Sequence, residues 1–238
     1  MHEAKASLRD EVWTAMEEAG VARFPGARGR VPNFAGAEAA AERLRRTEAW
    51  RRSRTVKANP DAPQWPVRQR ALEDGKTLFM AVPRLAGDRP FFLLDPARLA
   101  DPPGRASSIK GASRSARRVG LDELEPVDLV VAGCVAAGED GARLGKGGGF
   151  SDLEYALATE AGLIGPRTVA ATTVHDLQVR PAGAVPTVDH DFRLDLVVTP
   201  TRVIRARGRG RRRAGRLRWD ELSEEQIAAI PLLARLRG

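Results

Sequence analysis

This chain of 238 residues has few of the side chains that carry covalent chemistry: one cysteine, Cys134, one tyrosine, Tyr155, and three histidines. A single cysteine inside an apolar run excludes a disulfide framework, and three scattered histidines add no zinc-ligand spacing. Ser151 has no histidine and acid placed around it, so nucleophilic hydrolysis has little support. His175 and His190 read as turn residues. No run of about eighteen apolar residues is present, which excludes a membrane-spanning helix. The opening Met1-His-Glu-Ala-Lys-Ala lacks a hydrophobic signal core. The expected setting is cytoplasmic, with no membrane partner.

Charge is plentiful but confined. The net charge is +8, and Arg205, Arg207, Arg209, Arg211, Arg212, Arg213, Arg216 and Arg218 fall in one stretch without an acid. Setting those eight aside leaves the body with as many bases as its 31 acids. Gly208, Gly210 and Gly215 in the same stretch argue for a flexible segment that buries no core. Such a segment suits weak binding of RNA or another polyanion. Only Trp219 adjoins it, so base stacking is scarce.

Leu8, Val12, Met16 and Ala19 recur at helical spacing up to Gly20. Lys5 and Arg9, four apart, share one face of that helix. A second helix is expected over 37–52, and then strands and helices alternate. Strands are expected at 55–58, 77–83, 91–94, 169–174 and 194–204, and helices at 67–73 and 151–162. The stretch 128–137 lacks polar alternation, as in a strand buried on both faces of a parallel sheet. Residues 102–120 read as a loop or mobile segment. A last helix is expected over 223–235, with Ser223 and Gln226 at capping-box spacing. The alternation predicts an α/β fold: a three-layer Rossmann-like sandwich with a mostly parallel sheet and ligands at the carboxyl ends of its strands. Its organisation would be an α/β domain over 1–204, the Arg/Gly-rich segment over 205–218, and a C-terminal helix over 219–238 packed on the domain.

The most specific stretch is Arg143-Leu-Gly-Lys-Gly-Gly-Gly-Phe-Ser-Asp152, set between a strand and a helix start. Glycines let successive N–H groups converge on an anion, and the following helix adds its positive end. Arg143 and Lys146 place two cations in the loop, and Asp152 could hold Mg²⁺ beside a phosphate, with Asp191 or Asp195. The plain alternative is a glycine turn in which Ser151 or Asp152 caps the helix. The loop is not a P-loop, because Asp140 stands at the first glycine position and Gly147 at the hydroxyl position. It is not a dinucleotide fingerprint either, because Phe150 stands at the third glycine position.

The loop resembles the signature of the 5-formyltetrahydrofolate cyclo-ligase (5,10-methenyltetrahydrofolate synthetase) family, Arg-Leu-Gly-x-Gly-x-Gly-Tyr-Tyr-Asp. Lys5-Ala-Ser-Leu-Arg9 is similar to that family's opening helix, and Asp191-Phe-Arg-Leu-Asp195-Leu-Val-Val-Thr199 to its closing segment. Asp152–Tyr155 and Asn59-Pro-Asp-Ala-Pro-Gln64 resemble a divergent, methenyltetrahydrofolate synthetase domain-containing branch, whose animal members append an RNA-binding domain. The resemblance implies a CoA-transferase-like sandwich. It also implies an ATP- and Mg²⁺-dependent ligase acting on a reduced folate through a phosphorylated formyl group. Lys5, Arg9, Arg143, Leu144, Gly145, Lys146, Gly147, Gly148, Gly149, Phe150 and Ser151 would then hold the nucleotide, with Arg143 and Lys146 catalytic. Asp152 and Asp191 would hold the metal, and Asn59, Asp61 and Phe150 would meet the folate. Phe150 and Ser151 replace the paired tyrosines of the signature. A second reading therefore stands beside the first: a nucleotide-binding protein of weak turnover whose basic tail binds RNA.

Overall fold

A computed structural model describes residues 1–188, 191–206, 217 and 219–237. His190 and all but the margins of the Arg/Gly-rich segment, with its expected flexibility and polyanion binding, lie outside the described residues. The helices in chain order are α1 (His2–Glu18), α2 (Ala37–Arg45), α3 (Glu48–Arg52), α4 (Trp65–Glu73), α5 (Pro103–Ala106), α6 (Ile109–Ser115), α7 (Phe150–Glu160), α8 (Glu224–Ala229) and α9 (Pro231–Arg237). The strands are β1 (Thr55–Ala58), β2 (Thr77–Ala81), β3 (Phe91–Leu94), β4 (Arg117–Val119), β5 (Leu129–Val131), β6 (Ala136–Gly138), β7 (Arg143–Leu144), β8 (Val169–Thr173), β9 (Val179–Arg180), β10 (Leu196–Val198) and β11 (Val203–Arg205). No helix among the described residues is long and apolar enough to cross a membrane.

The architecture is α/β, with a mixed eight-stranded sheet ordered β11-β10-β8-β5-β1-β2-β3-β4. The five strands from β10 to β2 run parallel, and the flanking pairs are antiparallel. Period-two alternation divides the two faces of the sheet. Val56, Ala58, Leu78, Met80, Leu129 and Val131 pack with Leu44, Trp50 and residues of α4 to α6. Phe79, Val130, Ala170 and Val197 pack with Tyr155 and Ala158 of α7. Helices thus cover both faces, which is why the central strands are buried along nearly their whole length. A three-stranded sheet, β7-β6-β9, packs with α1 through Leu8, Val12 and Met16.

Several expected elements are divided, each for a local reason. The helix expected over 37–52 is two helices, because Thr47 Oγ1 accepts from the Trp50 backbone N–H at 3.2 Å and starts α3 as an N-cap. The single strand expected over 128–137 ends at Val131, and the chain then turns through Ala132 and Gly133 into the small sheet. A Cβ on Gly133 would lie 2.7 Å from Gln64 Oε1 and 2.9 Å from Asp61 Oδ2, so a side chain here would have to displace both. Residues 102–120 are not a loop but contain α5, α6 and the edge strand β4. The strand expected over 194–204 is a hairpin, β10 and β11, turning at Thr199–Arg202 with Thr199 and Thr201 hydroxyls on Asp176. The last helix is broken at Ile230 before Pro231, since proline cannot supply the next helical N–H. Ile227, Ile230, Leu232 and Leu233 of this pair bury against Ala81, Leu85, Phe91, Val119 and Leu157.

Candidate functional site

The glycine loop leaves β7 and enters α7 at one end of the sheet. Gly147 (φ 109°) and Gly149 (φ 68°) both take the left-handed region, where a side chain would be strained. Gly149 is the residue before α7, so the first N–H groups of an eleven-residue helix open onto the loop. Helix α1 lies across it, and Arg9 Nε donates to Gly145 O at 2.8 Å. One turn earlier, Lys5 Nζ donates to Asp191 Oδ2 at 2.7 Å. The 136-residue separation of Arg9 and Gly145 makes this a tertiary clamp on the loop, not a local turn contact.

Arg143 is buried at 3% exposure. Its guanidinium donates to Asp152 Oδ2 at 2.5 Å and to Gly133 O at 3.3 Å, and it lies 4.5 Å from the centre of the Phe192 ring. Phe192 in turn stacks on Tyr155, with ring centres 4.2 Å apart. Burial works against the guanidinium charge, but Asp152 outweighs it through charge and hydrogen bonding, so the pKa lies above the ordinary arginine value. Burial lowers the pKa of Arg9, and Asp191 partly offsets that. The loop therefore carries one fixed cation below it and two part-buried cations beside it.

These residues line a cleft of about 590 Å³, a volume in the range of small-molecule sites. Lys5, Arg9, Arg143, Leu144, Gly145 and Gly147–Gly149 all contribute, with Phe150, Asp152 and Asp191. The structure thus brings together most of the residues expected around a nucleotide. Lys146, Ser151, Asn59 and Asp61 are not part of this lining. Lys146 Nζ lies 3.7 Å from Asp61 Oδ1, on the side of the loop facing the end of β1. Ser151 Oγ accepts from Asn59 Nδ2 at 2.6 Å, and Asn59 Oδ1 accepts from Lys57 Nζ at 3.1 Å. With both ends of its amide engaged and 2% exposure, Asn59 supports the site from behind. Asp195 accepts from the Ala170 backbone N–H at 2.7 Å, holding β8 to its neighbour.

A metal would find a sparse donor set. No group of three or more His, Cys, Asp or Glu side chains gathers as a ligand set among the described residues. Asp152 Oδ1, however, is buried with no hydrogen-bond partner, and Asp152 lines the cleft together with Asp191. Mg²⁺ commonly takes one or two carboxylates and completes its shell with phosphate oxygens and water. These donors fit a metal that arrives with its phosphates, and they do not fit an all-protein cage.

Some residues of the site gave little advance signal. Lys57 of β1 and Glu154 of α7 form a buried ion pair, with 4% and 5% exposure. Its trace in the sequence is a lysine within a wholly buried strand and a glutamate within an apolar helix. Arg68, 2% exposed, donates to the backbone carbonyls of Asn59 (2.5 Å), Asp61 (3.0 Å) and Ser107 (2.9 Å). Burial lowers its pKa to about 10, which still leaves it charged near neutrality. Leu217, Leu222, Ala229 and Ile230 also line the cleft. Cys134 is buried, its thiol pushed up to about 11, and lies 3.4 Å from Thr172 Oγ1. That environment describes a core residue, not a nucleophile.

A sequence model of the 5-formyltetrahydrofolate cyclo-ligase family matches residues 1–200. The methenyltetrahydrofolate synthase domain-containing protein of Bos taurus is 39% identical over 242 residues, which cover 98% of this chain and 62% of that protein. The protein of the same description from Homo sapiens is 36% identical over 243 residues, covering 99% and 62%. The chain spans about 62% of the length of these curated relatives. Among solved structures, the Aquifex aeolicus 5,10-methenyltetrahydrofolate synthetase is similar with a TM-score of 0.53 at 21% identity, covering 87% of this chain and 94% of that one. That likeness concerns the fold.

Proposed function

Because this chain belongs to the 5-formyltetrahydrofolate cyclo-ligase family, we propose that it uses Mg-ATP to convert 5-formyltetrahydrofolate to 5,10-methenyltetrahydrofolate. The observation that carries this reading is the convergence of Lys5, Arg9, Arg143 and the glycine backbone on one cleft at the start of α7. In the proposed reaction the γ-phosphoryl group passes to the formyl oxygen and ADP leaves. The folate's second nitrogen then attacks the formyl carbon and gives up its proton, and phosphate departs with the formyl oxygen as the bridge closes.

Phosphoryl transfer asks mainly for positioning and for stabilisation of charge on the transferred group. Arg143 meets both needs, since Asp152, Gly133 O and Phe192 hold its guanidinium in one orientation. Lys5 and Arg9 bring further positive charge from α1. Asp152 and Asp191 would hold Mg²⁺, which when bound neutralises charge on the phosphate oxygens. On the far side of the loop, Lys146 and Asp61 face the ends of the central strands, where the folate would approach. Arg68 fixes the backbone that carries Asp61.

The test is direct: purified protein, Mg-ATP and 5-formyltetrahydrofolate, followed through the methenyl chromophore. Chromophore growth that requires ATP and stops with EDTA is expected. ATP binding without any chromophore would instead favour the reading of a nucleotide-binding protein of weak turnover, to which Phe150 and Ser151 in place of the paired tyrosines already point.

A further inference from the structure

The cleft has two unlike walls. One is the cationic loop and α1. The other is apolar: Leu217, Leu222, Ala229 and Ile230 of the C-terminal segment line it together with Ala86 and with Phe150, Leu153 and Ala156 of α7. The C-terminal part of this wall lies beyond residue 200, where the family match ends. The match to the Bos taurus relative covers 98% of the chain and therefore continues past that point. The C-terminal part of the wall is thus an addition to the family-wide part of the molecule. It is also firmly placed, since Ile227, Ile230, Leu232 and Leu233 bury against Ala81, Leu85, Phe91, Val119 and Leu157 of the main body.

We propose that this C-terminal wall receives the nucleobase of the bound triphosphate and so sets nucleotide affinity, a proposal that rests on the phosphate reading of the cleft. A ligand spanning both walls needs a polyanionic end and a flat, weakly polar body at the other. A nucleoside triphosphate has that shape. A free polyphosphate lacks the flat body. The pterin of a folate is flat too, but the polar groups suited to its edge, Asp61 and Lys146, are not part of this cleft. Phe150, adjacent to Gly149, puts an aromatic side chain where the two walls meet. Apolar contact of this kind adds affinity in proportion to the area removed from water.

The experiment compares Mg-ATP with Mg-tripolyphosphate by calorimetry on the full chain. The variants are Leu222→Ser, the double variant Leu217→Ser/Leu222→Ser, and Ala229→Gln. Position 229 is exposed, so the glutamine costs no core packing. Far-UV circular dichroism and thermal unfolding check that each variant is folded. The double variant should lose about tenfold in ATP affinity, with Leu222→Ser and Ala229→Gln losing less in the same direction. Tripolyphosphate affinity should stay within about twofold, the loop being untouched. Unchanged ATP affinity in folded variants overturns the proposal, as does an equal fall for both ligands. Loss of 5-formyltetrahydrofolate binding with ATP retained would assign the wall to the folate and overturn it as well. A wild-type protein that binds neither ATP nor tripolyphosphate removes the phosphate reading itself, an outcome distinct from all of these.

Discussion

Arg143 and Asp152, the first and last residues of the glycine stretch, close on each other at 2.5 Å. The loop is therefore tied at both ends before any ligand enters, and the two side chains that flank the glycines act as one unit. Arg143→Ala should cost both affinity and stability. It removes the cation proposed to meet the phosphates and leaves the Asp152 carboxylate without its partner. ATP affinity should fall more than tenfold, and the unfolding midpoint should drop with it. Titration calorimetry and thermal unfolding on the same preparation measure the two effects.

Asp152→Asn separates an anchor for Arg143 from a metal ligand, since Gly149 precedes α7 and no side chain caps that helix. Asparagine keeps an oxygen that can accept a hydrogen bond from Arg143 but removes the carboxylate charge. If Asp152 holds Mg²⁺, turnover should fall about a hundredfold while ATP binding falls only severalfold, because metal-held charge matters most as the phosphoryl group is transferred. Initial rates at saturating Mg²⁺ make the comparison; equal turnover in variant and wild type would leave Asp152 only the role of holding Arg143.

Lys146 sits in the same glycine run, yet its ammonium faces Asp61 and not the cleft. Lys146→Ala is accordingly expected to raise the KM for 5-formyltetrahydrofolate more than the KM for ATP. It is half exposed, so the unfolding midpoint should hardly move. A rise confined to the ATP KM would return Lys146 to the phosphate side.

The glycine loop was legible because its meaning lies in residue types at fixed spacing, and the α1 cations because four-residue spacing puts them on one face. The course of the central strands was legible for the same reason. What escaped was tertiary. Asp128 and Val131 look like the start of a long strand until Gly133 meets Gln64 and Asp61, residues some seventy positions away in sequence. Thr47 looks like one more helical residue until its hydroxyl takes the Trp50 N–H. The direction of Lys146, and the place of Leu217, Leu222 and Ile230 in the cleft, depend on how distant elements meet. No local pattern encodes that.

The buried pair Lys57–Glu154 joins the central strand β1 to the helix that carries the loop. Removing one partner strands the other charge in the core, so Lys57→Met should cost about 3 kcal/mol. The double variant Lys57→Met/Glu154→Leu should recover most of that loss, since an apolar pair of similar volume avoids the desolvation penalty. Urea unfolding of the two single variants and the double variant gives the coupling energy. A double variant no better than the worse single one would show that packing, not charge, sets the cost.

Asp128 ties β1 to β5, with its Oδ2 accepting from the backbone N–H of Arg54 (2.7 Å) and of Thr55 (3.1 Å). Burial acts to raise its pKa, but these hydrogen bonds, with the Thr55 hydroxyl and the charge of Arg54, outweigh it and hold the pKa below the ordinary value of 3.8. A group depressed in the folded state adds stability above its unfolded pKa and loses that stability as pH falls through the folded one. Asp128→Asn keeps an acceptor but removes the charge, so it should cost about 1 kcal/mol at pH 7. The cost should shrink as pH falls below 3.8, where wild type gives up the same charge. Urea unfolding of both proteins at pH 7 and near pH 3 supplies the measurement. A difference between variant and wild type that stays constant across that range would mean the geometry of the oxygen, and not its charge, holds the two strands together.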